Sequence, residues 1–163
     1  MKRQQLANGI VRTALMVLVV AAALPALAQE QGQLETLMNA TGLKMEKLEA
    51  DTWKVPFDGD NGKTLEVYVT YSNDKKISAL IFCTVVDRDA NFQFNREVLA
   101  RAMVISNDQP FIKIVLDADH GDLDCQTEAY MPTLTAEALK MYLDTVASIS
   151  DQYGAELNQL AGQ

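Results

Sequence analysis

The sequence is poor in the residues that most often carry chemistry. It has one histidine, two cysteines and one tryptophan among 163 residues, and no internal repeat or low-complexity tract. No G-x-S-x-G, H-E-x-x-H, phosphate loop or dinucleotide fingerprint occurs. The single histidine, His120, falls in a turn rich in Gly and Asp; a general base there needs a nucleophile and a shaped pocket, and neither is nominated. The turn Asp117-x-Asp119-x-Gly121-Asp122, with Glu128 at a twelfth position, has Gly one place too early for an EF-hand loop and strands where helices belong. Asp58-Gly-Asp60-Asn-Gly62 matches no better. Glu66, Glu97 and Glu137 fall on expected solvent faces, and Arg88, Arg96 and Arg101 flank a helix as solvated charges. No catalytic, cofactor-binding or metal-ligating residue is therefore expected, and no cofactor.

Long apolar runs are equally scarce. Thr13–Leu24 is a dozen residues, short of the ~20 that span a bilayer. It follows Lys2, Arg3 and Arg12 and precedes the small-x-small exit Ala26-Leu27-Ala28, the pattern of a cleaved signal peptide over residues 1–28. The expectation is an exported bacterial protein, periplasmic or extracellular, beginning at Gln29 and not inserted in a membrane after cleavage. Basic residues are the third scarcity: without the leader, 11 Lys and Arg face 22 Asp and Glu, a formal charge of −11. That opposes nucleic acid and anionic membrane as partners. The sequon Asn39-Ala-Thr41 matters only in a eukaryotic secretory route.

Residues 29–163 have the length of one domain. Leu34, Leu37, Met38 and Thr41 make a helical stripe closed by Gly42. Lys44–Leu48 and Thr52–Phe57 are short strand candidates, the second at or near a sheet edge because of Pro56. Leu65–Tyr71 alternates cleanly, and Ile77–Val86 is apolar on both faces, as in a central strand covered on both sides. Asn95 is placed to cap a helix through Ser106, with Leu99, Ala102, Met103 and Ser106 along one side. Phe111–Asp117 and Asp122–Tyr130 form a hairpin around Gly121. Thr135 caps a last helix to about Tyr153, with Ala138, Tyr142, Val146, Ile149 and Tyr153 as its buried stripe, Gly154 closing it and 154–163 an irregular tail. The order α-β-β-β-β-α-β-β-α is an α+β fold: an antiparallel sheet of five to six strands with three helices.

Cys83 and Cys125 each fall among the apolar positions of a strand. A helical crossover leaves Ile77–Val86 and Phe111–Leu116 parallel, so in an antiparallel sheet a strand of opposite direction must lie between them. Asp122–Tyr130 is that strand, which brings Cys125 beside Cys83. An even pair of thiols in an oxidising space suits a disulfide; two buried free thiols are the alternative.

Four fragments then carry a resemblance: Leu37-x-x-x-Thr-Gly-Leu43, Lys54-Val-Pro-Phe57, Asn107-x-x-Pro110-Phe-x-Lys113 with its Asp-rich turn, and Leu134-Thr-x-Glu137-x-Leu139. From Leu34 to Tyr153 the chain resembles the YbjN-type domain family, within the type III secretion chaperone-like fold. The resemblance implies helices on one side of the sheet, a non-catalytic role, and a middle helix (here Leu99, Ala102 and Met103) available for dimerisation. Secretion-chaperone relatives hold extended segments of partner proteins, but the cytoplasmic ones lack a leader. The leading expectation is an exported binding or chaperone-like module with a protein partner or as a homodimer. The rival is an envelope small-ligand carrier or enzyme with a pocket between sheet and helices, and a purely structural or stress-related envelope protein is a third.

Overall fold

The computed structural model describes residues 32–72, 76–89 and 91–162; the expected leader and the centre of the turn at 73–75 lie outside them. The chain divides into two compact units, Met1–Thr36 and Leu37–Gln163. In the first, Thr36 Oγ1 donates to the Gly32 carbonyl at 2.7 Å in the opening turns of helix α1 (32–40). The second holds all the rest.

Helix α1 stops where the sequence places its glycine. Gly42 takes φ 70°, a left-handed value that costs a residue without Cβ little. A meander of four strands follows: β1 (Glu46–Glu49), β2 (Thr52–Asp58), β3 (Thr64–Tyr71) and β4 (Ser78–Val86). Helix α2 (Arg96–Asp108) crosses over to the hairpin β5 (Lys113–Asp117) and β6 (Asp122–Tyr130), and helix α3 (Ala136–Leu160) ends the chain. All neighbouring strands are antiparallel, in the order β1-β2-β3-β4-β6-β5, so β6 does sit between β4 and β5. Pro56 lies beyond the last β1 partner of β2, Lys54, where no donor is needed on that side.

One sheet face is the core. Trp53, Val55, Val67, Val69, Ile81, Leu123 and Cys125 point into it and are buried, and α3 lies across β3, β4 and β6. The other face is not covered as the apolar run of β4 suggests. Leu80, Phe82 and Thr84 are only half-buried. Phe82 is shielded instead from within the sheet, its ring stacked on Tyr68 of β3 at 5.3 Å between centroids.

Both long helices are capped where expected; α3 is turned differently from expectation, and in α2 Ala102 alone of the three expected surface residues faces inward. Asn95 Oδ1 accepts from the Glu97 and Val98 amides at 2.9 and 3.0 Å, and Thr135 Oγ1 from the Ala138 amide at 3.2 Å. The buried stripe of α2 is Val98, Ala102 and Ile105, which leaves Leu99 and Met103 outside, where a partner can reach them. That of α3 is built on Leu139, Leu143, Val146, Ile149, Ser150 and Leu157, sharing only Val146 and Ile149 with the expected set. In both cases the helix is apolar over a wide arc, so two i, i+4, i+7 stripes compete and the packing partner decides.

Nor does α3 stop at Gly154; it continues through Leu160 in place of the irregular tail. Leu157 is fully buried, and Asn158 Nδ2 donates to the Val85 carbonyl of β4 at 2.6 Å. These tertiary contacts carry the helix past a residue that often ends one. A Cβ at Gly154 would meet no atom within 4 Å. Gly154→Ala should therefore stabilise by about 0.5–1 kcal/mol through lower unfolded-state entropy, read as a higher urea midpoint; a lower midpoint would show that the glycine is needed.

Candidate functional site

Three regions hold the residues with chemical or binding potential. The first is the outward side of α2 and the segment that follows it. The inner side of α2 is pinned at both ends. Asn95 Nδ2 donates to the Leu160 carbonyl at 3.0 Å, and Arg101 grips Glu156 of α3 through two hydrogen bonds of 2.6 and 2.9 Å. That pair holds the guanidinium above and the carboxyl below their ordinary pKa values. At the far end Ser106 Oγ accepts from the Ile114 amide at 2.8 Å, and Lys113 Nζ donates to the Ser106 carbonyl at 2.8 Å. The opposite side has no cover among the described residues: Met103 is 73% exposed, and Leu99 and Val104 over a third each; beyond the helix Phe111 is 68% exposed, and Leu116 of β5 is over a third exposed. Exposed apolar side chains gathered on one rigid element mark interaction surfaces more often than chance scatter does.

The second region is a cleft in the sheet itself. Pairing between β3 and β4 runs from Tyr71↔Ala79 to Tyr68↔Phe82 and then stops, while β4 stays paired with β6. The separating strands leave a volume of about 400 Å³ lined by Lys63, Glu66, Tyr68, Cys83, Thr84 and Asp122, among others. Its rim is tied: Tyr68 Oη donates to Glu66 at 2.8 Å, and Lys54 Nζ lies 3.2 Å from both Glu46 and Glu66. The Tyr68 hydrogen bond first, and Lys54 second, lower the Glu66 pKa; burial first raises that of Tyr68. Below the rim Thr84 Oγ1 donates to Asp124 at 2.8 Å, and burial pushes the Asp124 carboxyl above its ordinary value.

The third region is the thiol pair. Cys83 and Cys125 are direct partners across β4 and β6, 2% and 0% exposed, and both are free thiols in this structure. Burial raises both, Cys125 to about 12. Ser150 of α3 favours both thiolates, yet its buried hydroxyl reaches no partner in hydrogen-bond geometry.

His120 stands in its turn as expected. Its Nδ1 lies 2.9 Å from Asp117 Oδ2, which raises the imidazole and lowers the carboxyl. Among the described residues no group of three or more His, Cys, Asp or Glu is placed to hold a metal ion, and no helix is long and apolar enough to cross a membrane.

Against this geometry, no protein-family model and no curated protein matches the chain in sequence. Solved structures do match in fold. The ExsC–ExsE complex aligns at TM-score 0.56 with 14% identity, covering 80% of this chain and 94% of that one. The Yersinia pestis type III secretion chaperone SycH, in complex with a stable fragment of YscM2, aligns at 0.51 with 15% identity, over 74% and 96%. YbjN from E. coli aligns at 0.53 with 13% identity, over 76% and 90%. The fold is type III secretion chaperone-like.

In this chaperone-like fold the sequence-derived residues separate cleanly. Leu99 and Met103 share the exposed side of α2, whereas Ala102, grouped with them from sequence, is 5% exposed and points inward. Phe111, Val104 and Leu116 were missed. The alternation of the expected strand Phe111–Asp117 sets Phe111 opposite Ile112, which is its one visible signal, although β5 itself begins only at Lys113; Leu116 is exposed because β5 is a short edge strand.

The cleft makes a pH prediction. A carboxyl whose folded pKa is raised binds protons more tightly when folded, so its ionisation costs stability as pH rises from the unfolded value through the folded one. Asp124→Asn, which keeps an acceptor for Thr84, should raise the denaturation midpoint at pH 7 and leave it unchanged near pH 3. Equal midpoints at pH 7 would show that Asp124 ionises there without strain.

Proposed function

We propose that this chain is a non-catalytic, exported binding module that holds a segment of a partner protein, another protein or a second copy of itself, on the outward face of α2. The single observation that carries the reading is the exposed set Leu99, Met103 and Val104 on a helix anchored through its other side, with the exposed Phe111 in the turn that follows it. A rigid apolar surface loses little order when a partner covers it, so burial is converted efficiently into affinity. Support for a protein partner comes from the fold neighbours, two of which are complexes with another protein. Support for export comes from residues 1–28 alone: a basic start, an apolar run too short to span a bilayer, and Ala26-Leu27-Ala28. The site of action is then the bacterial periplasm or the extracellular space, with Gln29 at the mature N-terminus.

Two measurements test the parts separately. Intact mass of protein from the exported fraction should begin at Gln29; a retained 1–28 segment would refute export. Sizing with light scattering, followed by affinity capture from the envelope fraction, should find the wild type dimeric or bound to a second protein. Met103→Glu should remain folded and weaken that association about tenfold or more, equivalent to ~1.4 kcal/mol. A wild-type monomer at high micromolar concentration that retains no partner would contradict the binding role.

A further inference from the structure

We propose that Cys83 and Cys125 close a disulfide across β4 and β6 when the chain folds in an oxidising environment. That the native compartment is such an environment rests on the export reading; the pairing itself does not.

Direct partners on neighbouring antiparallel strands have Cα atoms about 4.5–5.5 Å apart, inside the 4.4–6.8 Å range of bridged cysteines. Their side chains leave the sheet on the same face. Their Cβ atoms stand roughly 4.5–5.5 Å apart in a regular pair and must come to about 3.5–4.5 Å. The sheet supplies the slack for that movement at this point. Cys83 is the first residue of β4 beyond its pairing with β3, which ends at Phe82, and the β4–β6 register shifts between Thr84 and Val86. On its β3 side this end of β4 borders the cleft, which Cys83 itself lines. A covalent link would fasten β4 where its ladder support is halved. The bonds that closure gives up are weak: Cys83 Sγ donates to the Thr84 carbonyl at 3.9 Å and Cys125 Sγ to the Val146 carbonyl at 3.8 Å, while the Ser150 hydroxyl of α3 is unpartnered.

The chemistry is thiol–disulfide exchange with a disulfide oxidant, either a small-molecule disulfide or a disulfide oxidoreductase. One cysteine thiolate attacks the oxidant, forming a mixed disulfide and releasing one oxidant thiolate. The second cysteine thiolate then attacks the mixed disulfide at the protein sulfur and releases the other. The two cysteines lose two electrons and two protons; the oxidant disulfide becomes two thiols. Burial holds both protein thiols protonated in the folded state, Cys125 most of all, and exchange requires the thiolate. The bond therefore forms while the chain is still open, and once folded over it is shielded from reductant. It would enclose α2 and β5 in its loop, tying the four-stranded meander to the hairpin on either side of the candidate docking face.

The test uses the full chain, reduced and unfolded in guanidinium, then refolded to equilibrium in a glutathione buffer of oxidising poise. Alkylation and non-reducing peptide mapping should find a Cys83–Cys125 linked peptide, an intact mass lower by two hydrogens, and a melting temperature that falls by about 10 °C on reduction. The Cys83→Ala/Cys125→Ala variant should melt at a temperature indifferent to reductant. Two alkylated thiols at equilibrium, or glutathione held on either cysteine, would overturn the proposal. A bond that closes in this assay while the chain is found in the cytoplasm would refute export and leave the pairing standing.

Discussion

The structure depends most on the pairing of β4 with β6. Eight residue pairs, from Ser78↔Tyr130 to Val86↔Leu123, join strands that a helix and another strand separate in sequence. Closing so long a loop has an entropic cost, which only the burial that follows can offset. Ile81, Ala79, Cys83, Cys125 and Ala129 provide it, all buried beneath α3. Without this ladder the meander β1–β4 and the hairpin β5–β6 would be two half-sheets, each with an open apolar edge.

The same pairing determines which surface is left over. With β6 taken as the neighbour of β4, β5 becomes the edge strand, and α2, the link between the half-sheets, packs beside α3 against it. Its inner side is consumed by Val98, Ala102 and Ile105 and by the Arg101–Glu156 pair. Its outer side is apolar and unoccupied by any described residue, at the border of the sheet where a second polypeptide can approach. The likeness to secretion chaperones and YbjN fits this arrangement at the level of fold; the apolar face belongs to this chain's own residues.

Much of the architecture was legible in the sequence because local signals and global order agree. Gly42, Asn95 and Thr135 mark helix ends by mechanisms that need no tertiary information. The bounds of β6, Asp122–Tyr130, and the neighbourhood of Cys83 and Cys125 followed from alternation and from the parallel sense of a helical crossover. What was not legible is rotational. In α2 the inward turn of Ala102, grouped from sequence with the outward Leu99 and Met103, is decided by where β5 and α3 lie, and single-residue hydrophobicity cannot express it. The end of α3 failed for a related reason: Gly154 carries a stop signal, and distant contacts override it, among them the Val85 carbonyl, the core site of Leu157 and the Arg101–Glu156 pair. The cleft between β3 and β4 was invisible because a strand's sequence does not record where its neighbour parts from it.

The central claim is that the outer face of α2 is where another polypeptide sits. Site-specific photocrosslinking in the producing cell addresses it directly, with a photoreactive residue at Met103 and a control at the exposed Lys140 of α3. The account predicts a discrete protein adduct, to a second copy or to one other chain, from position 103 and none from position 140. No adduct at 103, or the same adducts from both positions, would contradict it.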